Sequence, residues 1–278
     1  MPSAPSASSI EPSLLGPLCQ ALGLSPAPQR GSVLAFVGAG GKTSAIFALV
    51  RELRELRLIV TTTTRLRDPR LERDRPLDRV VLEASLADDT ALGSALRPAP
   101  HGLSARAGSG ALVVGSGIEA GSGKLVGIHP SRVEALRAGC DFLLVEADGS
   151  RGLPVKAPRN GEPVLPDRAD LVVGVMGLDC LGLPLGPQMA QRHEILGALV
   201  GCSLGEPLGP EHLLRLALSP SGLFKHAPAC TRRAILLNKA EGVPRSLLSG
   251  LLEELAQALP GCIVLATSLR DGLGGLWP

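Results

Sequence analysis

Apolar residues in this chain gather in short continuous runs, separated by stretches in which they recur at helical spacing. Val33 to Val37 is one such run; Leu58 to Val60, Phe142 to Glu146, Leu171 to Met176, Ala234 to Leu237 and Ile263 to Ala266 repeat the pattern. Short apolar runs of this kind predict strands buried on both faces. Ile46, Phe47, Leu49, Val50 and Leu53 recur at helical spacing and predict a helix from about Thr43 to Leu56. Further helices are predicted at Ser131 to Ala138, near Gln188 to Val200, at Glu211 to Leu218 and at Arg245 to Leu259. Strands alternating with amphipathic helices predict an α/β fold, with a mostly parallel sheet and helices on both faces. Ligands of such folds bind outside the carboxyl ends of the strands.

The pattern weakens in two places. Met1 to Ser9 is rich in Ser, Pro and Ala, and Pro12 to Leu24 predicts a short docking helix, so residues 1–27 are read as a disordered tail plus that helix. Residues 28–278 are read as one domain whose middle, about 65–127, is an elaboration. Charged residues dominate Arg65 to Arg79, short strands are expected at Val80 to Leu82 and Ala111 to Val114, and Gly115 to Gly123 is rich in Gly and Ser.

Composition narrows the function classes. Hydrophobic residues make up 45% of the chain but aromatic ones only 2%, with no Tyr, so the core is aliphatic. Few aromatic platforms and a net charge of only +2 argue against a nucleic-acid partner. The six cysteines are scattered without a C-x-x-C pair, which predicts buried or free thiols. With no secretory pattern and no apolar run of the roughly 20 residues a bilayer requires, the expectation is a soluble, cytoplasmic protein in a reducing setting, without a membrane partner.

Four polar motifs fall at strand ends. Gly38-Ala39-Gly40-Gly41-Lys42-Thr43 joins the first strand to its helix. Glycines let backbone amides turn toward an anion, and the helix start adds partial positive charge, so this loop predicts a phosphate site. Lys42 is expected at the terminal phosphates of a nucleoside triphosphate and the Thr43 hydroxyl on Mg²⁺. The longer form of such a loop has a further glycine where this chain has Phe36; the compact G-x-x-G-K-T form resembles the loop of Mur ligases. The second motif is the strand ending Glu146-Ala147-Asp148, which looks like a Walker B element; both acids are expected to hold Mg²⁺ or its water and to orient a nucleophile, so Lys42, Glu146 and Asp148 are the candidate catalytic residues.

The third motif, Asn238-Lys239-Ala240-Glu241, resembles the guanine-reading N-K-x-D of GTPases, with Glu241 in place of Asp. Asn238, Lys239 and Glu241 are candidates for base contact, and ATP and GTP both remain open. Ala266-Thr267-Ser268 sits where GTPases place a second base-contacting loop. The fourth is Thr61, Thr62, Thr63 and Thr64, which either extend a strand or place hydroxyls where one senses the γ-phosphate.

Taken together in order, these blocks resemble the YqeC-type selenium-dependent molybdenum hydroxylase accessory proteins. The resemblance rests on VGAGGKT at Val37 to Thr43, TTTT at Thr61 to Thr64, GKLVGI at Gly123 to Ile128, and above all EADGSRGLPVKAPRNGEPVLP at Glu146 to Pro166. VVGVMGLD at Val172 to Asp179, RHE at Arg192 to Glu194 and LLNKAE follow, so it extends roughly from Leu14 to the C-terminus. It implies a P-loop nucleotide-binding protein serving the maturation of molybdenum hydroxylases, with a client hydroxylase or a protein of the molybdenum cofactor pathway as partner. Within the long block, Arg151 and Lys156 are candidates for a second anion, such as a pterin phosphate, or for a client's acidic surface. Glu162 is read as shaping that loop. Arg192, His193 and Glu194 are candidates for a second substrate, His193 as proton carrier or ligand. Three activities stay open: an NTPase, a nucleotide-gated chaperone with slow hydrolysis, and a small-molecule kinase.

Overall fold

The computed structural model describes residues 16–25, 28–68, 77–82, 111–269 and 275–276. The tail expected at Met1 to Ser9 lies outside them, as does much of the charged stretch after Arg65. The strands are β1 (Ser32–Gly38), β2 (Leu58–Thr62), β3 (Arg65–Leu66), β4 (Leu77–Leu82), β5 (Ala111–Gly115), β6 (Gly117–Ile118), β7 (Leu125–Val126), β8 (Phe142–Glu146), β9 (Val155–Lys156), β10 (Leu171–Gly177), β11 (Ala190–Gln191), β12 (Arg232–Asn238), β13 (Ile263–Ser268) and β14 (Gly275–Leu276). The helices are α1 (Pro17–Ala21), α2 (Lys42–Glu52), α3 (Val133–Arg137), α4 (His193–Val200), α5 (Pro210–Leu218) and α6 (Arg245–Ala258).

Each apolar run read as a strand is one, within three residues at its ends. β2 runs past Val60 because Thr61 and Thr62 continue the ladder opposite Val145 and Glu146. The helix expected from Gln188 starts only at His193, because Ala190 and Gln191 pair with β9 and Arg192 takes a left-handed conformation that no helix can pass through. The helix expected from Ser131 opens instead with a 3-10 turn at Pro130–Arg132.

The main sheet has nine strands in the order β14-β13-β12-β10-β1-β8-β2-β5-β4. All neighbours are parallel except β13 and β14. This is the α/β, P-loop NTPase-like architecture, a mostly parallel sheet with helices on both faces. Side chains alternate between those faces. Leu34, Phe36, Leu144, Val173 and Leu236 pack with α1 and α2, and Ala35, Val37, Val172, Met176 and Leu237 pack with α4, α5 and α6. Val33, Leu143 and Val145 complete a third cluster against α3.

The winding places the site. After β1 the chain moves to one flank of the sheet through β2, β4 and β5, returns to β8 beside β1, and then crosses to β10 on the other flank. The direction therefore reverses between β1 and β10, and a crevice opens there beyond the carboxyl ends of the strands. The residues 65–127 that are described add β5 and the edge strand β4 to the main sheet next to β2, and a small sheet, β3-β7-β6. At the far end, α1 buries Leu18, Cys19 and Leu22, and the Glu52 carboxylate accepts from the Leu18 and Cys19 amides at 3.2 and 2.8 Å. All six cysteines are free thiols. Among the described residues no helix is long and apolar enough to cross a membrane.

Candidate functional site

The glycine loop begins where β1 stops. Phe36 is still a strand residue, buried against α2, so the chain cannot turn before Gly38. Gly38, Gly40 and Gly41 then take φ of +89°, +83° and +132°, values open to glycine and strained for other residues. Close approach adds a second requirement. A Cβ on Gly40 would overlap the backbone of Gly177 and lie 2.6 Å from the Pro154 carbonyl oxygen, and one on Gly41 would meet the Asn238 amide. Gly40→Ala is therefore expected to lower stability by about 1–3 kcal/mol, read as a fall in the thermal unfolding midpoint. A wild-type midpoint would show that the loop is not pressed against β10.

Hydrogen bonds hold this turn from three sides. The Gly38 amide donates to Asp148 Oδ2 (3.1 Å), the Ala39 amide to Val175 O (2.9 Å) and the Gly40 amide to Leu153 O (3.0 Å). Asn238 Nδ2 donates to Gly40 O at 2.7 Å. From Gly41 onward the amides open α2 and have no acceptor inside the helix, which leaves them, with the helix dipole, for an anion.

Lys42 and Thr43 turn from this helix start toward the carboxylates of β8. Register brings Glu146 level with Phe36 on one side and Thr62 on the other. The Thr43 hydroxyl donates to Glu146 Oε2 at 2.9 Å. Burial pushes the Glu146 carboxyl up; Lys42 and the Thr43 hydroxyl oppose this, and Asp148 reinforces it. Lys42, 2% exposed, donates to Gly38 O at 2.6 Å and pairs with Asp148 Oδ1 at 3.1 Å.

Asp148 lies beyond the end of β8, and its environment differs from that of Glu146. Its Oδ2 faces Lys156 Nζ at 3.0 Å as well as the Gly38 amide. Lys156 also reaches Glu162 Oε2 at 3.0 Å and Gly149 O at 2.8 Å. Arg192 closes the row with a two-pronged contact to Glu162, 2.7 Å on each oxygen. Thus Lys42, Asp148, Lys156, Glu162 and Arg192 alternate in sign from the glycine loop to the start of α4. Burial raises the Glu162 carboxyl, but Lys156 and Arg192 outweigh it and hold the group below the usual carboxylate range. Lys156, read from sequence as a candidate for a free anion, is 2% exposed and already engaged by two carboxylates. Glu162, read as a loop-shaping residue, is the centre of the outer half of this row. Its exposed neighbour Arg159 also reaches Oε1 at 3.0 Å, but the buried partners Lys156 and Arg192 come from β9 and the turn before α4.

A divalent ion can be fitted only in part to the residues read as its ligands. Thr43 Oγ1 and Glu146 Oε2 stand close enough together to serve one Mg²⁺, which usually keeps waters and takes phosphate oxygens for its remaining positions. Asp148 is engaged elsewhere: Lys156 and the Gly38 amide hold Oδ2, while Oδ1 makes no hydrogen bond and stands 3.1 Å from the Lys42 ammonium. Among the described residues no group of three or more His, Cys, Asp or Glu side chains is placed to hold a metal ion.

The threonine run is fastened mainly to the main chain. Thr61 donates to Val114 O (2.8 Å), Thr62 to Glu146 O (2.7 Å) and Thr63 to Val164 O (2.6 Å), while the Thr64 and Thr62 hydroxyls lie 3.3 Å apart. Arg151 is exposed in a left-handed turn, and His193, at the start of α4, stands 4.0 Å from Glu194.

The crevice between β1 and β10 is a cleft of about 820 Å³. Gly41 and Ser44 form one wall, Leu178, Asp179, Leu181 and Leu183 a second, and Asn238, Lys239, Glu241, Val243, Pro244 and Leu247 a third, with Leu269 at the edge. Asn238 is 3% exposed; besides holding Gly40, it accepts the Leu269 amide on Oδ1 at 3.0 Å and lies 3.4 Å from the Thr267 hydroxyl. Lys239 pairs with Asp179 at 2.6 Å on the cleft wall. Asp179 closes the VVGVMGLD block but is not read from the sequence as a site residue; it sits in a 3-10 turn, Leu178–Cys180, just beyond the end of β10. Apart from Ser44 and Glu241, the remaining side chains of the wall are apolar.

A family model described as YqeC protein matches residues 34–194. The chain belongs to the YqeC family. The YqeC match extends from the glycine loop through β8 to Arg192, His193 and Glu194, and so includes the whole row of charges. The protein YqeC of Escherichia coli (strain K12) is 31% identical over 236 residues, covering 83% of this chain and 85% of that one. No solved structure matches the chain. The Asn238 segment lies beyond the matched span but on the same cleft as the glycine loop.

Proposed function

We propose that this protein binds a nucleoside triphosphate with Mg²⁺ and hydrolyses it as an accessory factor in the maturation of molybdenum hydroxylases. One observation carries the nucleotide reading: the start of the glycine-loop helix and the Asn238–Glu241 segment, far apart in sequence, line a single cleft at the point where the sheet reverses its winding. The two ends of that cleft suit the two ends of a nucleotide. The opening amides of α2 and the Lys42 ammonium supply positive charge for phosphates. The aliphatic wall of Leu178, Leu181, Leu183, Val243 and Leu247 suits a base, and the Glu241 carboxylate is an acceptor for the N1–H and exocyclic amine of guanine.

In this reading Thr43 and Glu146 would hold Mg²⁺, which when bound neutralises charge on the phosphates and polarises the bond to be broken. Lys42 stabilises charge on the transferred phosphoryl group. Asn238 fixes the loop through Gly40, and Asp179 holds Lys239 at the cleft wall. The molybdenum hydroxylase process comes from the family resemblance described above, and a client hydroxylase or cofactor-pathway protein is the partner it implies.

Titration of the purified protein with Mg·GTP and Mg·ATP tests the reading, with Glu241→Ala beside the wild type. Binding of at least one nucleotide is expected, and where GTP is preferred, Glu241→Ala should erase about tenfold of that preference. No binding of either nucleotide would remove the proposal. Hydrolysis stimulated by a molybdenum hydroxylase supports the NTPase reading, slow hydrolysis with nucleotide-dependent client binding favours a chaperone, and a phosphorylated small product a kinase.

A further inference from the structure

Asp148 makes the contacts an anion would make in the glycine loop. Its Oδ1 meets the Lys42 ammonium at 3.1 Å, and its Oδ2 accepts the Gly38 amide at 3.1 Å. The carboxylate is 2% exposed and comes from the loop after β8, not from α2. A phosphate that takes Lys42 must take it from Asp148. Removing one partner from a buried pair strands the other charge at several kcal/mol, unless a second partner remains. That second partner is Lys156, 3.0 Å from Asp148 Oδ2. Lys156 is itself held by Gly149 O and Glu162, and Glu162 by Arg192.

We infer that Asp148 is an internal competitor for Lys42, and that Lys156 is a positioning residue whose charge lets Lys42 leave Asp148 for a phosphate. The inference rests on the nucleotide reading above and sets how tightly that site binds. It also gives a reason for a buried lysine that touches neither the cleft wall nor the Thr43–Glu146 pair. Without Lys156, Asp148 has only Lys42 and one amide, so the lysine stays with it.

The test is calorimetric titration with Mg·GTP and Mg·ATP of the wild type, D148N, K156M and the double variant, each first shown to unfold cooperatively on heating. D148N removes the competitor and is expected to bind about threefold or more tighter than the wild type. K156M is expected to bind about tenfold or more weaker, and D148N in the same chain to restore binding to the D148N level. A merely structural role for Lys156 gives no such rescue. Should K156M fail to fold, D148N alone decides. Binding by D148N equal to or weaker than the wild type overturns the inference, as does K156M binding at the wild-type level or a double variant no better than K156M. If neither the wild type nor D148N binds a nucleotide, the nucleotide reading itself has failed. If the wild type binds and D148N binds less well, only the inference has.

Discussion

Lys42→Ala is expected to weaken nucleotide binding about 100-fold, which corresponds to about 2.7 kcal/mol, and to lower any hydrolysis by about 10²–10³. A charge-assisted hydrogen bond to phosphate accounts for much of that loss, and the long-range attraction of an ammonium in a site with little water for the rest. The fold should survive the change. Asp148, left by Lys42, keeps Lys156 at 3.0 Å and the Gly38 amide at 3.1 Å, so no bare charge is buried. Unfolding midpoints should therefore change little while titration loses its signal. A Lys42→Ala protein that binds nucleotide like the wild type would place the phosphates elsewhere.

The largest stability effect is expected at the other end of the charge row. Glu162→Gln removes the carboxylate that Lys156 and Arg192 share. Arg192 and the exposed Arg159 lose their charged partner, and Lys156 keeps Asp148 and the Gly149 carbonyl, a loss of about 3 kcal/mol, or roughly 6–12 °C in unfolding midpoint for a chain of this size. The effect depends on pH with a definite sign. Lys156 and Arg192 hold the folded-state Glu162 carboxyl below its usual range despite burial, which acts the other way. Its stabilisation is therefore fully present above the unfolded-state value of about 4.3 and fades as pH falls through the folded-state value. Denaturant melts of wild type and Glu162→Gln should differ by the full amount near neutrality and converge in acid. A gap that stays constant down to strongly acidic pH would mean that Glu162 acts by shape rather than charge. Glu146, whose carboxyl burial raises, contributes with the opposite sign in both proteins and so cancels from the comparison.

The glycine loop, the acidic end of β8 and the Asn238 segment were each legible because they are local patterns. Each motif lies within a few residues of a strand end that hydrophobic periodicity already marks. The role of each residue within a motif was less legible. Glu146 and Asp148 are two apart and look alike in sequence, yet Thr43 holds one and two lysines hold the other. Lys156 and Glu162 look like loop charges until Asp148 and Arg192 come to them from other elements. The Thr61–Thr64 run read equally as a strand extension or as available hydroxyls, and pairing with β5, β8 and the Val164 carbonyl engages three of the hydroxyls. Asp179 ends the VVGVMGLD block without standing out as a site residue, and its place beside Lys239 puts it in the cleft.

The sequence by itself determined where the long strands and most of the helices lie, that the sheet is mostly parallel and buried on both faces, and which segments carry polar groups at strand ends. Those properties follow from side-chain periodicity and turn chemistry, which act over a few residues. The tertiary structure alone decided that β8 and β10 flank β1, that the glycine loop and Asn238 face one cleft, and that Lys42 meets Asp148. Strand order and buried ion pairs depend on contacts between residues far apart along the chain, where the alternative partners are chemically alike and only packing chooses among them.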